Sequence, residues 1–193
     1  ESLKLLVAEL NHRVKNTLAV VQAIARQTFR EAADTQKAWQ SFEGRLVALA
    51  AAHNLLTRSK WESARLTAIA EDAFFARGMG ENRRTVSGPD VRLAPKHALA
   101  LSLVLHELCT NATKYGALSD EKGKVTLTWT PAGKGAVDLE WIERGGPPVP
   151  AVRKPGFGSR LLERSLARDL GAVIHLDFAP EGVRCTIKGL KHL

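Results

Sequence analysis

Hydrophobic residues return along the first third of the chain at helical intervals. Leu3, Val7, Leu10, Val14, Val21, Ile24 and Thr28 keep mainly to steps of three and four, with a weak place at Thr17. That is the seam of a long helix built to pack on other helices, and it predicts a helix from about residue 2 to residue 31. Asp34 or Thr35 can cap a new start. Trp39, Phe42, Leu46, Leu49, His53 and Leu56 then follow with the regularity of a heptad seam. Two such helices joined by a short turn predict an antiparallel hairpin. A hairpin has little core of its own, so pairing with a second copy into a four-helix bundle is the economical way to bury both seams. His53 lies on the seam and reads as a packed or interface histidine.

Beyond a polar stretch the pattern changes. The expected organisation is a helical hairpin over residues 1–58, a linker over 59–64 and a second domain over 65–193. Arg65 to Arg77 reads as a helix with Leu66, Ile69, Ala73 and Phe74 on one face, ended by Gly78 and Gly80. Arg84 to Gly88 and Val91 to Leu93 read as short strands. Pro95 opens an apolar helix that runs to Tyr115 and stops at Gly116. Val125 to Thr130 and Ala136 to Ile142 alternate as strands around Pro131–Gly135. Residues 145–156 carry too much Gly and Pro to be regular. Ser159 to Leu170 reads as a helix, and Ala172–Phe178 with Val183–Ile187 as a hairpin. The fold class is therefore α+β: a helical hairpin, then helices laid on a mostly antiparallel sheet, an α/β two-layer sandwich.

Composition narrows the partners. The chain has 193 residues, 45% hydrophobic and 25% charged, the profile of an ordinary globular protein. Its net charge of +8 suits an acidic partner or a nucleotide. The lysines and arginines are scattered and no nucleic-acid-binding signature is present, which argues against DNA or RNA. Cys109 and Cys185 stand far apart, giving neither a disulfide framework nor a metal site and fitting a cytoplasmic setting. No apolar run reaches the ~20 residues of a membrane span. Glu1 falls in mid-helix register, as expected of a piece whose upstream sensory domain lies outside it.

Chemistry gathers in two places. At ~100° per residue His12 faces away from the first seam, with Glu9, Lys15 and Asn16 three and four positions from it. An imidazole there is solvated, nucleophilic when neutral and open to approach by another domain. In the second domain Glu107, Asn111 and Lys114 share one helix face; an amide oxygen and a carboxylate can bind magnesium while the lysine attracts phosphate. Glu143 ends a strand just before glycines, where a carboxylate can accept a hydrogen bond from the exocyclic amine of adenine. Gly156-Phe-Gly158-Ser159 runs into a helix start, a ready phosphate cradle with Ser159 as its cap.

In this order the motifs resemble the ATP-binding domain of the gyrase–Hsp90–histidine-kinase–MutL superfamily, most closely the HWE subfamily of bacterial sensor histidine kinases. His106, Trp141 and Glu143 match the three letters, and Asn11-His-Arg-Val-Lys-Asn16 is similar to the phosphoacceptor segment. The resemblance implies that His12 is autophosphorylated from ATP and that Asn111 ligates Mg²⁺ with Glu107 near the metal waters. It further implies that Lys114 approaches the phosphates, that Tyr115 helps enclose the nucleotide, and that Glu143 takes the adenine role. Gly145, Gly146, Gly156 and Gly158 would frame the lid, with Arg160 near the phosphates. Asn16 resembles the position that orients a hydrolytic water in bifunctional kinases. Arg13 stands where an acid usually follows the phosphoacceptor. The general base is then either Glu9, one turn earlier, or Glu107, which would arrive only in the productive complex and is favoured for that reason. The expected function is a histidine autokinase core that hands its phosphate to an aspartate of a response-regulator receiver domain, as a homodimer through the hairpin. The alternatives are a serine kinase of the anti-sigma type and an ATP-binding pseudokinase scaffold.

Overall fold

In the computed structural model, which describes residues 2–30, 34–149 and 161–193, the hydrophobic pattern resolves into helices and strands close to those expected. The order is α1 (Ser2–Arg30), α2 (Thr35–Arg58), β1 (Ala64–Arg65), α3 (Leu66–Phe75), β2 (Arg84–Ser87), β3 (Arg92–Leu93), α4 (Pro95–Tyr115), β4 (Lys124–Gly133) and β5 (Ala136–Arg144). Then come α5 (Ala167–Leu170, preceded by a π-wound Leu161–Leu166), β6 (Val173–Ala179) and β7 (Gly182–Lys191). By its own contacts the chain divides into two units, 1–47 and 48–193, and the division falls inside α2.

The first unit is a hairpin. Asp34 starts α2, its carboxylate accepting the Gln36 and Lys37 N–H groups at 2.9 and 3.2 Å. Thr28 donates to the Ile24 carbonyl and accepts from Arg45 Nη1, both at 2.6 Å. The rings of Phe29, Trp39 and Phe42 cluster with centroids 5.7 to 6.4 Å apart. These pairings nest about the turn, as antiparallel helices require. Val7, Leu10, Val14 and Leu18 on α1 remain 48–62% exposed.

The buried stripe of α2 follows the expected seam only in part, sharing Leu49 and Leu56 with it. Ala38, Arg45, Ala48, Leu49, Ala52 and Leu56 are buried, whereas Trp39 is more than half exposed. Alanine lets a neighbouring element come close, and Trp39 instead lies against Phe29 and Phe42. His53 is half-buried, its ring edge-on to Trp61 at 4.6 Å.

The second unit is a five-stranded sheet in the order β2-β4-β5-β7-β6, with β2 parallel to β4 and the remaining neighbours antiparallel. The last turns of α2 count with this unit: Ser102 on α4 donates to the Ala48 carbonyl at 3.2 Å. Val125, Leu127 and Trp129 on β4 and Val137, Leu139 and Trp141 on β5 alternate inward and are buried. The helices α3 and α4 bury Leu66, Ile69, Phe74, Leu101, Val104 and Leu108 in the same core. Two layers result, as expected.

The expected helix from Arg65 is shorter at both ends. Ala64 and Arg65 pair with Leu93 and Arg92 as a two-residue ladder, and Gly78 at φ +63° closes the turn that follows α3. A two-residue strand is too short to leave a periodic signal.

Candidate active site

The alternation that buries the core of β5 also aims its last acid inward. Val137, Leu139, Trp141 and Glu143 occupy every second position, so the carboxylate arrives on the core face beside the indole. Glu143 is 1% exposed. A buried carboxylate is costly unless hydrogen-bonded. Here Oε2 accepts the Ala117 N–H at 2.8 Å and Oε1 accepts the Trp141 indole N–H at 3.1 Å. Trp141 lies stacked on Phe74, with ring centroids 5.6 Å apart and planes within 12°. On Phe74 rests Arg84, 5.8 Å from the ring centroid and ion-paired to Glu71 at 2.6 Å.

Glycine makes room for this carboxylate. A Cβ on Gly116 would overlap Glu143 Oε2, although Gly116, at φ −114°, has a backbone any residue can adopt. The missing side chain is what the site requires. Gly146 presses likewise on Ala117, whose N–H is the donor.

Opposite Glu143, α4 presents Leu108, Asn111, Lys114 and Tyr115. Together with Gly116, Ser119, Pro147 to Val149, and Leu176, Phe178 and Val183 of the β6–β7 hairpin, they line a cleft of about 540 Å³. That is the size of an ordinary small-molecule site. Its walls are largely apolar, with a carboxylate at one side and an amide and an ammonium on the helix. Such a lining suits a flat heterocycle with a charged tail.

Among the sequence-predicted residues, Asn111, Lys114, Tyr115 and Glu143 are thus brought to one cleft. Glu107, one turn before Asn111, is buried and does not belong to the cleft wall. Gly145, at φ +74°, lies beside Lys122 and Gly123, and Gly146 beside Ala117, rather than in the wall. Asn16 is exposed on α1. His12 and Glu9 lie within α1, but their side chains are not among those described. Gly156, Gly158, Ser159 and Arg160 fall outside the described residues.

Two contributors escaped the sequence reading. Arg77 Nη2 lies 3.1 Å from His106 Nε2 and also bonds the Thr110 hydroxyl. A guanidinium only donates, so the imidazole nitrogen accepts. Nothing in the local pattern marks Arg77, which was expected as the last residue of a helix and lies just past α3. The Trp141–Glu143 bond did have a signal: two residues apart on one strand share a face. On the buried side of α4, burial pushes the Cys109 thiol up to about 12 against the lowering effect of Arg77, with Glu143 adding to the rise.

A helical hairpin followed by a two-layer sandwich with such a cleft is an arrangement shared with solved histidine kinases. Residues 9–90 match the family model described as HWE histidine kinase. A protein named blue-light-activated histidine kinase from Brucella anthropi is 42% identical over 184 residues, 93% of this chain and 37% of that protein. Its namesake from Brucella ovis is 40% identical over 188 residues, 95% of this chain and 38% of that one. The chain therefore spans little more than a third of these relatives. Among solved structures, a blue-light activated histidine kinase of Erythrobacter litoralis shares the fold with a TM-score of 0.67 at 23% identity, covering 95% of this chain and 58% of that one. The histidine kinase domain from the same organism's protein matches with a TM-score of 0.63 at 22% identity, covering 93% and 90%. The chain belongs to the HWE histidine kinase family.

Proposed function

We propose that this chain is the catalytic core of a sensor histidine kinase in two-component signalling, binding ATP between α4 and β5 and phosphorylating His12. The observation that carries this reading is one cleft that joins Glu143, Asn111 and Lys114 in a chain whose family-matched segment also contains His12. The apolar wall formed by Leu108, Leu176, Phe178 and Val183 suits the adenine ring, and Glu143 accepts its amine. A ring nitrogen of His12 attacks the γ-phosphorus, the bond to the β,γ-bridging oxygen breaks, and ADP leaves with the electron pair. The proton on the other ring nitrogen passes to a base, for which Glu107 is the proposed group in preference to Glu9. An aspartate oxygen of a receiver domain then attacks the same phosphorus, the P–N bond breaks, and His12 is regenerated. Asn16 is proposed to orient water for later hydrolysis of the receiver's phosphate.

The donor set fits magnesium. Among the described residues no three His, Cys, Asp or Glu side chains group as a metal cage. Mg²⁺ is commonly held by one or two protein oxygens and the phosphates of its nucleotide. Asn111, on the cleft wall, would supply one such oxygen, with Glu107 a turn away. When bound, the ion neutralises charge on the phosphates. Lys114 and Arg160 are proposed to do the same from the protein side, and Tyr115, 64% exposed, to close over the nucleotide. The partners proposed are a second copy through the hairpin, a receiver domain, and a sensory region in the full-length protein, which the greater length of the relatives supports. No described helix is long and apolar enough to cross a membrane, and a cytoplasmic setting is proposed.

Labelled ATP tests the reading. His12→Gln should abolish incorporation and leave ATP binding intact, and the parent's label should survive base and decay in acid. Asn111→Ala should lose Mg²⁺-dependent binding. Glu107→Ala should slow the reaction tenfold or more at saturating ATP, within the ~10²–10⁴ of acid–base groups. Acid-stable label retained in His12→Gln would overturn the function. A slow Glu9→Ala beside a normal Glu107→Ala would reverse the base.

A further inference from the structure

The carboxylate of Glu143 is aimed by its surroundings. Its side chain has three rotatable bonds, and a free glutamate would sample many directions at an entropic cost to any ligand that needed one of them. In this fold each oxygen is engaged by a different fixed donor. The Ala117 N–H is part of the turn that leaves α4, and the indole N–H belongs to a ring clamped against Phe74. Arg84 on the far side of Phe74, held by Glu71, closes the stack from outside. A carboxylate offers about four lone-pair positions, and bonds from two fixed donors, one to each oxygen, define its plane.

We propose that Trp141 is a positioning residue for nucleotide selection: its indole N–H, acting with the Ala117 N–H, orients Glu143 to accept the 6-amino group of a purine. This deepens the reading of Glu143 as the adenine-recognising group and rests on it. The Ala117 and Trp141 N–H groups both donate to the carboxylate, and an acceptor so aimed welcomes an amine and repels the 6-oxo group of guanine or hypoxanthine. Trp141 reaches the nucleotide only through Glu143. Its effect therefore belongs to affinity and base selectivity and vanishes when Glu143 is gone. Sequence spacing reinforces the assignment, since residues 141 and 143 share one face of β5 and deliver donor and acceptor together.

Trp141→Phe separates the two roles of the ring, because it keeps an aromatic partner for Phe74 and removes the N–H. The measurements are the ATP concentration for half-maximal autophosphorylation, the maximal rate, and the preference for ATP over inosine triphosphate. They are made for the parent, Trp141→Phe, Glu143→Ala and the double variant, with circular dichroism to confirm folding. Loss of one hydrogen bond to a charged group corresponds to roughly ten- to hundredfold in affinity. Trp141→Phe is expected to raise the half-maximal ATP concentration about tenfold and to erode the preference by a similar factor, with a maximal rate within about twofold of the parent. In the double variant Trp141→Phe should add nothing to Glu143→Ala. If Glu143→Ala loses selectivity while Trp141→Phe keeps it, or if the two losses add, the positioning role is overturned and the adenine role stands. If Glu143→Ala binds and selects as the parent does, the adenine role itself fails. Should Trp141→Phe not fold, the parent's Trp141 indole N–H resonance decides: it must shift on Glu143→Gln, and an unmoved resonance overturns the proposal.

Discussion

The buried thiols give the simplest check on the core beneath the site. Cys109 and Cys185 are both fully buried, and burial pushes each up to about 12 from an ordinary 9.0. Thiolate is the reactive form. At pH 8 both cysteines of the native protein should resist iodoacetamide for hours and react within minutes once unfolded. Alkylation of native Cys109 at the rate of a free thiol would mean that α4 opens locally. The same shift has a sign in stability. The folded state keeps both protons while the unfolded chain loses them from about pH 9. The stabilising contribution is complete below pH 9 and is lost as pH rises towards 12, so the melting temperature should fall across that window.

At the scale of elements, one polar pair pins the hairpin. Arg45 is buried on α2 and donates to Thr28, which is itself tied to the Ile24 carbonyl. Thr28→Val removes an acceptor from a buried charge and should cost about 1–3 kcal/mol in urea unfolding. Arg45→Met removes the charge together with the bond and should cost less, because a buried ion replaced by a hydrophobe of similar volume is often nearly neutral. The opposite ranking would show that the guanidinium does not depend on Thr28. This pair also shows where the sequence was readable. Long periodic elements such as α4, bounded by Pro95 and Gly116, were recognisable residue by residue, because capping chemistry and period agreed. The inward Arg45 and the buried alanine stripe of α2 were not, since heptad reading puts large apolar residues inside and Trp39 wins that contest only on paper. In the site, Asn111, Lys114 and Glu143 stood out as residue types in motifs. The bonds of Glu143 to Ala117 and Trp141 depend on a turn and a strand end meeting across 26 residues in one case and two in the other, and the longer of these leaves no local trace.

For the whole molecule the apolar stripe on α1 sets the expectation. Val7, Leu10, Val14 and Leu18, spaced three to four apart, are half-exposed in the single chain, where they offer a second copy a continuous face. Light scattering at tens of micromolar should give twice the chain mass, and Leu10→Lys with Val14→Lys should return it to one. A parent that remained monomeric would force His12 to be phosphorylated within its own chain. The seat of Glu143 carries a different kind of consequence, one of ancestry. Position 116 cannot gain a side chain while a glutamate at 143 occupies the space in front of it. An aspartate, one methylene shorter, would vacate that space and leave the Ala112 Cα, 3.0 Å away, as the next atom a side chain there would meet. A lineage that changes one residue at a time can therefore shorten position 143 first and fill position 116 afterwards. The reverse order passes through an intermediate whose carboxylate has been evicted, so history along this path runs more easily one way than the other.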